Sequence, residues 1–254
     1  MRFFDRTEEI ASLRSAIDIL SRFRGVPSNA WLENVISSLE YRFGIMPNTE
    51  NIVSFEQNEL LKGTEFLGEL IDSAMNHQPL QVLYRTFSGN ERTSIIHPYH
   101  IKQFNNRWFL IGLQEGDHGN YITNKALDRI VKFSRAHVPF IPNKSIDFSE
   151  YFKDVVGVTL PDNHPEPEEV LLRFDAARFP YVVNKPIHPS QIVINEEEYI
   201  IRLMVRPNRE LEAYIFSFGH QVEVLQPLWL RMQIAEKIDD LHKKYSKMQE
   251  DCTL

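Results

Sequence analysis

The chain has 254 residues, 43% of them hydrophobic and 25% charged, which is ordinary for a water-soluble protein with more than one core. No apolar run approaches the roughly 20 residues that span a bilayer, the N-terminus lacks a signal-peptide core, and a cytoplasmic protein with no membrane partner is expected. A single cysteine, Cys252, excludes an internal disulfide and a cysteine metal site, and a net charge of −7 excludes a protein that coats nucleic acid over its whole surface.

Residues 1–63 read as helical. Ile10, Leu13, Ile17 and Leu20 form one stripe, Gly25-Val26-Pro27 breaks it, and Ser28 caps a second helix with Trp31, Leu32, Val35, Ile36 and Leu39 inward. A third helix opens near Gly63-Thr64 and carries Phe66, Leu67, Leu70, Ile71 and Ala74. Short helices of this kind need a partner surface, in the next domain or in a second subunit.

From Pro79 the period changes to alternation. Leu80, Val82 and Tyr84 predict a strand, Ser88-Gly89-Asn90 a turn, and a second strand runs to His97-Pro98. Asn105-Asn106 turns the chain into Arg107–Gly112, and strands near 121–127 and 130–138 follow. Short strands with turn signals every eight to twelve residues predict a small antiparallel barrel over 64–144. This segment carries nine basic and seven acidic side chains and five of the nine histidines, while residues 145–254 carry twelve basic and nineteen acidic ones. The middle segment alone suits an anionic partner.

Prolines and acids mark 145–167 as a linker with a short helix at 149–154. The pattern from Glu168 onward is strand, helix (175–183), strand, strand, helix (208–218), strand and a long final helix from Leu228. That order predicts a ferredoxin-like sandwich over 168–254, and the whole chain reads as α+β.

His97-Pro98-Tyr99-His100-Ile101, Asn106-Arg107-Trp108-Phe109-Leu110-Ile111-Gly112 and Ala126-Leu127-Asp128-Arg129-Ile130 together resemble the WYL domain. Its name-giving triplet stands here as Trp108-Phe109-Leu110, and Tyr84 falls where the family has a tyrosine. Downstream, Pro186–Gln191, Glu210-Leu211 and Phe218–Leu225 resemble the C-terminal extension that accompanies this domain, and Leu20–Gly25 with Ser54-Phe55-Glu56 resembles its helical connector. The resemblance implies an Sm/SH3-like antiparallel β-barrel that senses a nucleic-acid or nucleotide effector in a bacterial transcription regulator, commonly a homodimer. It also implies a winged helix ahead of the connector. This sequence opens in the connector, so promoter DNA is expected to be reached only through a domain that a longer protein would supply. Two departures stand out. Phe109 lacks the family's hydroxyl, and Thr123 stands where an arginine is common.

The candidate ligand-binding residues are Tyr84, Arg92, His97, Tyr99, His100, Arg107, Trp108, Lys125 and Arg129. Arginine forks suit phosphate, and tyrosine or histidine rings suit stacking on a base. Plain structural roles stand beside these. The alternative for Arg129 is a strand-end ion pair with Asp128, Tyr84 and Tyr99 are equally core aromatics, and Trp108 suits packing more than contact. No Gly-rich phosphate loop, His-Glu-x-x-His or Gly-x-Ser-x-Gly occurs, and His97 with His100 around a proline suits a metal poorly, so neither catalysis nor a cofactor is expected. The competing expectation is a structural dimerisation module without a ligand.

Overall fold

The computed structural model describes residues 62–163 and 166–251. The helices expected over residues 10–20 and 28–39, and Cys252, lie outside that range. The chain divides into two units between Lys144 and Ser145, both of mixed helix and antiparallel sheet.

Among the described residues, the first unit begins with a 3₁₀ turn, Thr64–Phe66, that runs into helix α1, Leu67–Met75. Five strands follow: β1 Leu80–Arg85, β2 Glu91–Phe104, β3 Arg107–Gln114, β4 Tyr121–Ala126 and β5 Ile130–Arg135. They form one antiparallel sheet in the order β4-β3-β2-β1-β5. The sheet has β4 and β5 at its edges and does not close into the expected barrel. Its curvature nevertheless follows from the connection. A flat five-stranded sheet would hold its edges about 19 Å apart. Only the 3₁₀ turn Leu127–Arg129 joins β4 to β5, and four Cα steps cannot exceed about 15 Å. The edges are therefore drawn toward each other, with a bridging turn in place of a ladder.

Strand β2 runs on past His97-Pro98, where the sequence predicts an end. Pro98 offers no N–H to a ladder, and the β2–β3 register shifts between Pro98 and His100. That bulge lets the strand continue to Phe104. Asn105 and Asn106 then take φ of 47° and 59°, the left-handed pair of a two-residue hairpin turn. Leu67, Leu70, Leu80, Val82, Ile96, Leu110, Leu127 and Ile130 make the core, with Tyr84 and Trp108 packed on its margin.

The second unit has strands β6 Glu168–Phe174, β7 Ile192–Asn195, β8 Ile200–Val205 and β9 Val222–Gln226, and helices α2 Phe179–Asn184, α3 Arg209–Ser217 and α4 Leu228–Asp251. The sheet order is β7-β8-β6-β9, antiparallel throughout. Helix α2 starts later than the sequence predicts, because residues 175–178 form a turn and Pro180 suits only the first turn of a helix. Residues 145–163 are not a free linker. Phe152, Val155, Val156 and Val158 are buried. The helix expected at 149–154 is instead a run of tight turns closed by bonds such as Lys153 N–H to Glu150 O. Asn208 fastens this segment. Its Nδ2 donates to Val156 O and Thr159 O at 2.8 Å, while its Oδ1 caps α3 by accepting from Leu211 N–H. Among the described residues no helix is long and apolar enough to cross a membrane.

Candidate functional site

The nine candidate residues separate into three places. Tyr84, Lys125 and Arg129 converge. Tyr84 ends the core-facing row of β1, and its ring takes the Arg129 guanidinium at 4.9 Å and the Lys125 ammonium at 4.8 Å. Burial pushes the Tyr84 phenol up, against the opposing pull of Arg129. Burial also pushes Lys125 down, and Arg129 adds to that. Arg129 is fixed by an Nε–H bond to Arg85 O, 2.9 Å, and lies 3.6 Å from the centre of the Phe87 ring. Phe87 is 85% exposed. The guanidinium therefore lies over two aromatic rings.

Arg107 lies nearby but is committed. Its Nη2 reaches both oxygens of Asp128, at 3.0 and 2.8 Å, and its guanidinium sits 5.6 Å from the centre of the Phe109 ring. Asp128 thus pairs with Arg107 and leaves its neighbour Arg129 to the aromatic rings. Arg92 stands opposite Tyr84 in register, exposed.

His97, Tyr99 and His100 are elsewhere on β2. His97 is fully buried, with Nε2 2.9 Å from Glu115 Oε1 and Nδ1 accepting from Ile141 N–H at 3.1 Å. Tyr99 Oη donates to Ile141 O at 2.7 Å. Both side chains hold protein backbone. His100 is half-buried, and burial followed by Lys102 lowers its pKa. Trp108 is spent on the core margin.

A cleft of about 450 Å³ opens beside Arg129, lined by Arg85, Phe87, Asp128, Val131, Lys62 and Glu65 among others. Gly63, at φ 87°, lets the chain entering α1 lie on the Leu127–Asp128 peptide; a Cβ there would fall 2.2 Å from Leu127 O. Arg85, Phe87 and Lys62 were not among the residues singled out from sequence. Phe87 carried a signal: a large aromatic inside the turn 86–90 has no core to enter. Among the described residues no group of three or more His, Cys, Asp or Glu could hold a metal ion.

Fold and cleft define a two-unit mixed α/β protein whose first unit presents cations and aromatic rings around an open cleft. A WYL domain model matches residues 65–133, and a WCX domain model matches residues 166–241. The chain therefore carries a WYL domain followed by a WCX domain. No curated protein matches it significantly. Among solved structures it is similar to proteasome accessory factor B/C (PafBC) of Arthrobacter aurescens, at 16% identity and a TM-score of 0.35, over 89% of this chain and 33% of that one. It therefore spans about a third of that protein's length. It is also similar to a CRISPR Cas-related protein, at 12% identity and a TM-score of 0.45, over 98% of this chain and 76% of that one.

Proposed function

We propose that this chain is the sensing portion of a cytoplasmic, homodimeric transcription regulator. In this reading the first unit is an Sm-like module that takes a phosphate-bearing effector, single-stranded nucleic acid or a nucleotide, and the second is a ferredoxin-like module. Effector binding would control a winged helix carried outside this sequence, with no catalysis and no cofactor. The observation behind this reading is Arg129. Its Nε is fixed by Arg85 O and its guanidinium lies over the Phe87 and Tyr84 rings, which leaves the Nη atoms for an anion beside the cleft. Phe87 offers a face on which a base can stack.

The test is titration of a labelled mixed-sequence oligonucleotide at two salt concentrations, with Arg129→Ala and Phe87→Ala beside the parent. Binding that weakens with salt is expected, and each lost phosphate contact should reduce the log–log slope by about 0.7. Absence of binding at low salt, or binding untouched by both substitutions, favours the dimerisation module without a ligand. In this reading the chain alone should not discriminate promoter from scrambled duplex in a mobility shift, since groove reading belongs to the winged helix.

A further inference from the structure

The cleft beside Arg129 holds a carboxylate as well as cations, and a site for bare phosphate would have to overcome it. We infer that the cleft selects guanine: Glu65 accepts the two parallel N–H donors of the base while Arg129 takes the phosphate. This selection rests on the cleft being a nucleotide or single-strand site, as proposed above. The polar groups around the cleft divide by what they already bond. Arg85 gives Nε and Nη2 to Glu91 Oε1, at 3.0 and 2.8 Å. Thr86 Oγ1 donates to Asn90 O, and Asp128 is paired with Arg107. Among the described residues that line it, Lys62, Glu65 and the Nη atoms of Arg129 are left for a ligand.

Backbone holds the carboxylate and the guanidinium in fixed relation. Glu65 is the middle residue of the 3₁₀ turn Thr64–Phe66, and Arg129 ends the turn Leu127–Arg129. Gly63 brings the first turn onto the Leu127–Asp128 peptide, an approach that leaves no room for a Cβ. Phe66 N–H donates to Gly63 O at 3.2 Å, and the Phe66 ring meets Phe133 of β5 edge-on at 5.4 Å. The Glu65 side chain is exposed on this anchored turn.

An ionised carboxylate only accepts, and its two oxygens suit two parallel donors. Guanine offers that pair, N1–H and the 2-amino group, on its Watson–Crick edge. Adenine and cytosine offer one amino group beside an acceptor nitrogen, which would meet a carboxylate oxygen lone pair to lone pair. Thymine and uracil offer a single N–H flanked by carbonyls. Phe87, on the same cleft, supplies a face on which the purine stacks, and Arg129 and Lys62 supply charge for its phosphate. The cleft, at about 450 Å³, lies within the usual range of small-ligand sites, roughly 300–1,000 Å³.

The experiment uses the full chain and a short labelled DNA strand of A, T and C with one central deoxyguanosine. Its affinity is compared with that of the same strand carrying deoxyinosine, which lacks the 2-amino group, or 7-deaza-deoxyguanosine, which keeps both donors. Inosine should bind at least about tenfold more weakly than guanosine, the worth of one hydrogen bond to a charged group. The 7-deaza strand should match the guanosine strand. Glu65→Gln should remove most of the difference between guanosine and inosine. It should also tighten the inosine strand by about twofold, because a charge that repels phosphate is gone. GMP and AMP as competitors separate the two sources of guanine: GMP displacing the strand where AMP does not assigns the site to a free nucleotide, and discrimination within a strand alone assigns it to single-stranded nucleic acid. Equal affinity for guanosine and inosine strands, or a Glu65→Gln loss shared by every strand, overturns the inference and leaves the cleft an unselective site. No binding of any strand at low salt overturns the nucleotide reading of the cleft as well.

Discussion

The two places on the first unit where aromatic and basic residues gather differ in what their polar atoms do. At the β2 corner His97, Tyr99 and Glu115 spend their hydrogen bonds on one another and on the backbone of Ile141. At the cleft, Arg129 spends one nitrogen on the backbone and presents the remainder of its fork beside the exposed Phe87 ring and the half-buried Tyr84 ring. Composition does not separate the two, since both offer Tyr with a cation or a histidine. Satisfaction of donors and acceptors does. A buried polar group with every partner in place stabilises the fold, and a fixed but incompletely bonded cation is the one with capacity left for a ligand.

The largest expected effect breaks the scaffold of the cleft itself. Gly63→Ala places a Cβ 2.2 Å from Leu127 O at a left-handed backbone position, and should destabilise the first unit by about 3 kcal/mol, seen as a lower urea midpoint. Next comes His97→Ala, which removes a fully buried ring and leaves Ile141 N–H without its acceptor. A loss of about 2 kcal/mol is expected in the same unfolding measurement. Oligonucleotide affinity should stay within about twofold of the parent; a large loss there would erase the distinction between the two places.

Phe87→Ala has the opposite signature. At 85% exposure its removal should change stability by less than about 0.5 kcal/mol, while binding weakens by about 1–3 kcal/mol in the oligonucleotide titration if a base stacks there. The smallest effect concerns Lys125. Burial lowers its pKa, so the folded state disfavours the charged form. That cost is complete at neutral pH and fades as pH rises from the depressed folded value toward the ordinary lysine range. Lys125→Met should therefore raise the urea midpoint slightly at pH 7, by less than about 1 kcal/mol, with the advantage shrinking at alkaline pH. An advantage that grew with pH would contradict the burial explanation.

Much of this was legible in the chain. Alternation at Leu80, Val82 and Tyr84, the Asn105-Asn106 turn, and the helix that opens near Asn208 all report local geometry, which sequence encodes directly. The end of β2 was misplaced because Pro98 looks like a stop until a bulge accommodates it. The same rule of local reading fails at Ser149–Asp154, where helical spacing gave way to turns bonded to their own carbonyls. At the candidate site, the grouping of Tyr84, Lys125 and Arg129 depends on β4 and β5 being joined by a three-residue turn. The commitment of His97 and Tyr99 depends on Ile141, which lies more than forty residues downstream. Neither is a periodicity, so residue type alone placed all of them in one site.

The pairing of β1 with β5 also has a consequence for synthesis. Leu80 is opposite Ile96 on one side and Arg135 on the other, so the strand made first in this sheet is flanked by the strand made last. On the ribosome β1 and β2 can form their hairpin early, but the outer edge of β1 stays open until residue 135 has left the exit tunnel. For that interval Leu80 and Val82, fully buried in the finished unit, lie on an unpaired edge that another chain can extend. Slow codons or a stalled ribosome that lengthen the interval between the emergence of Arg85 and that of Arg135 should therefore raise co-translational aggregation of this protein.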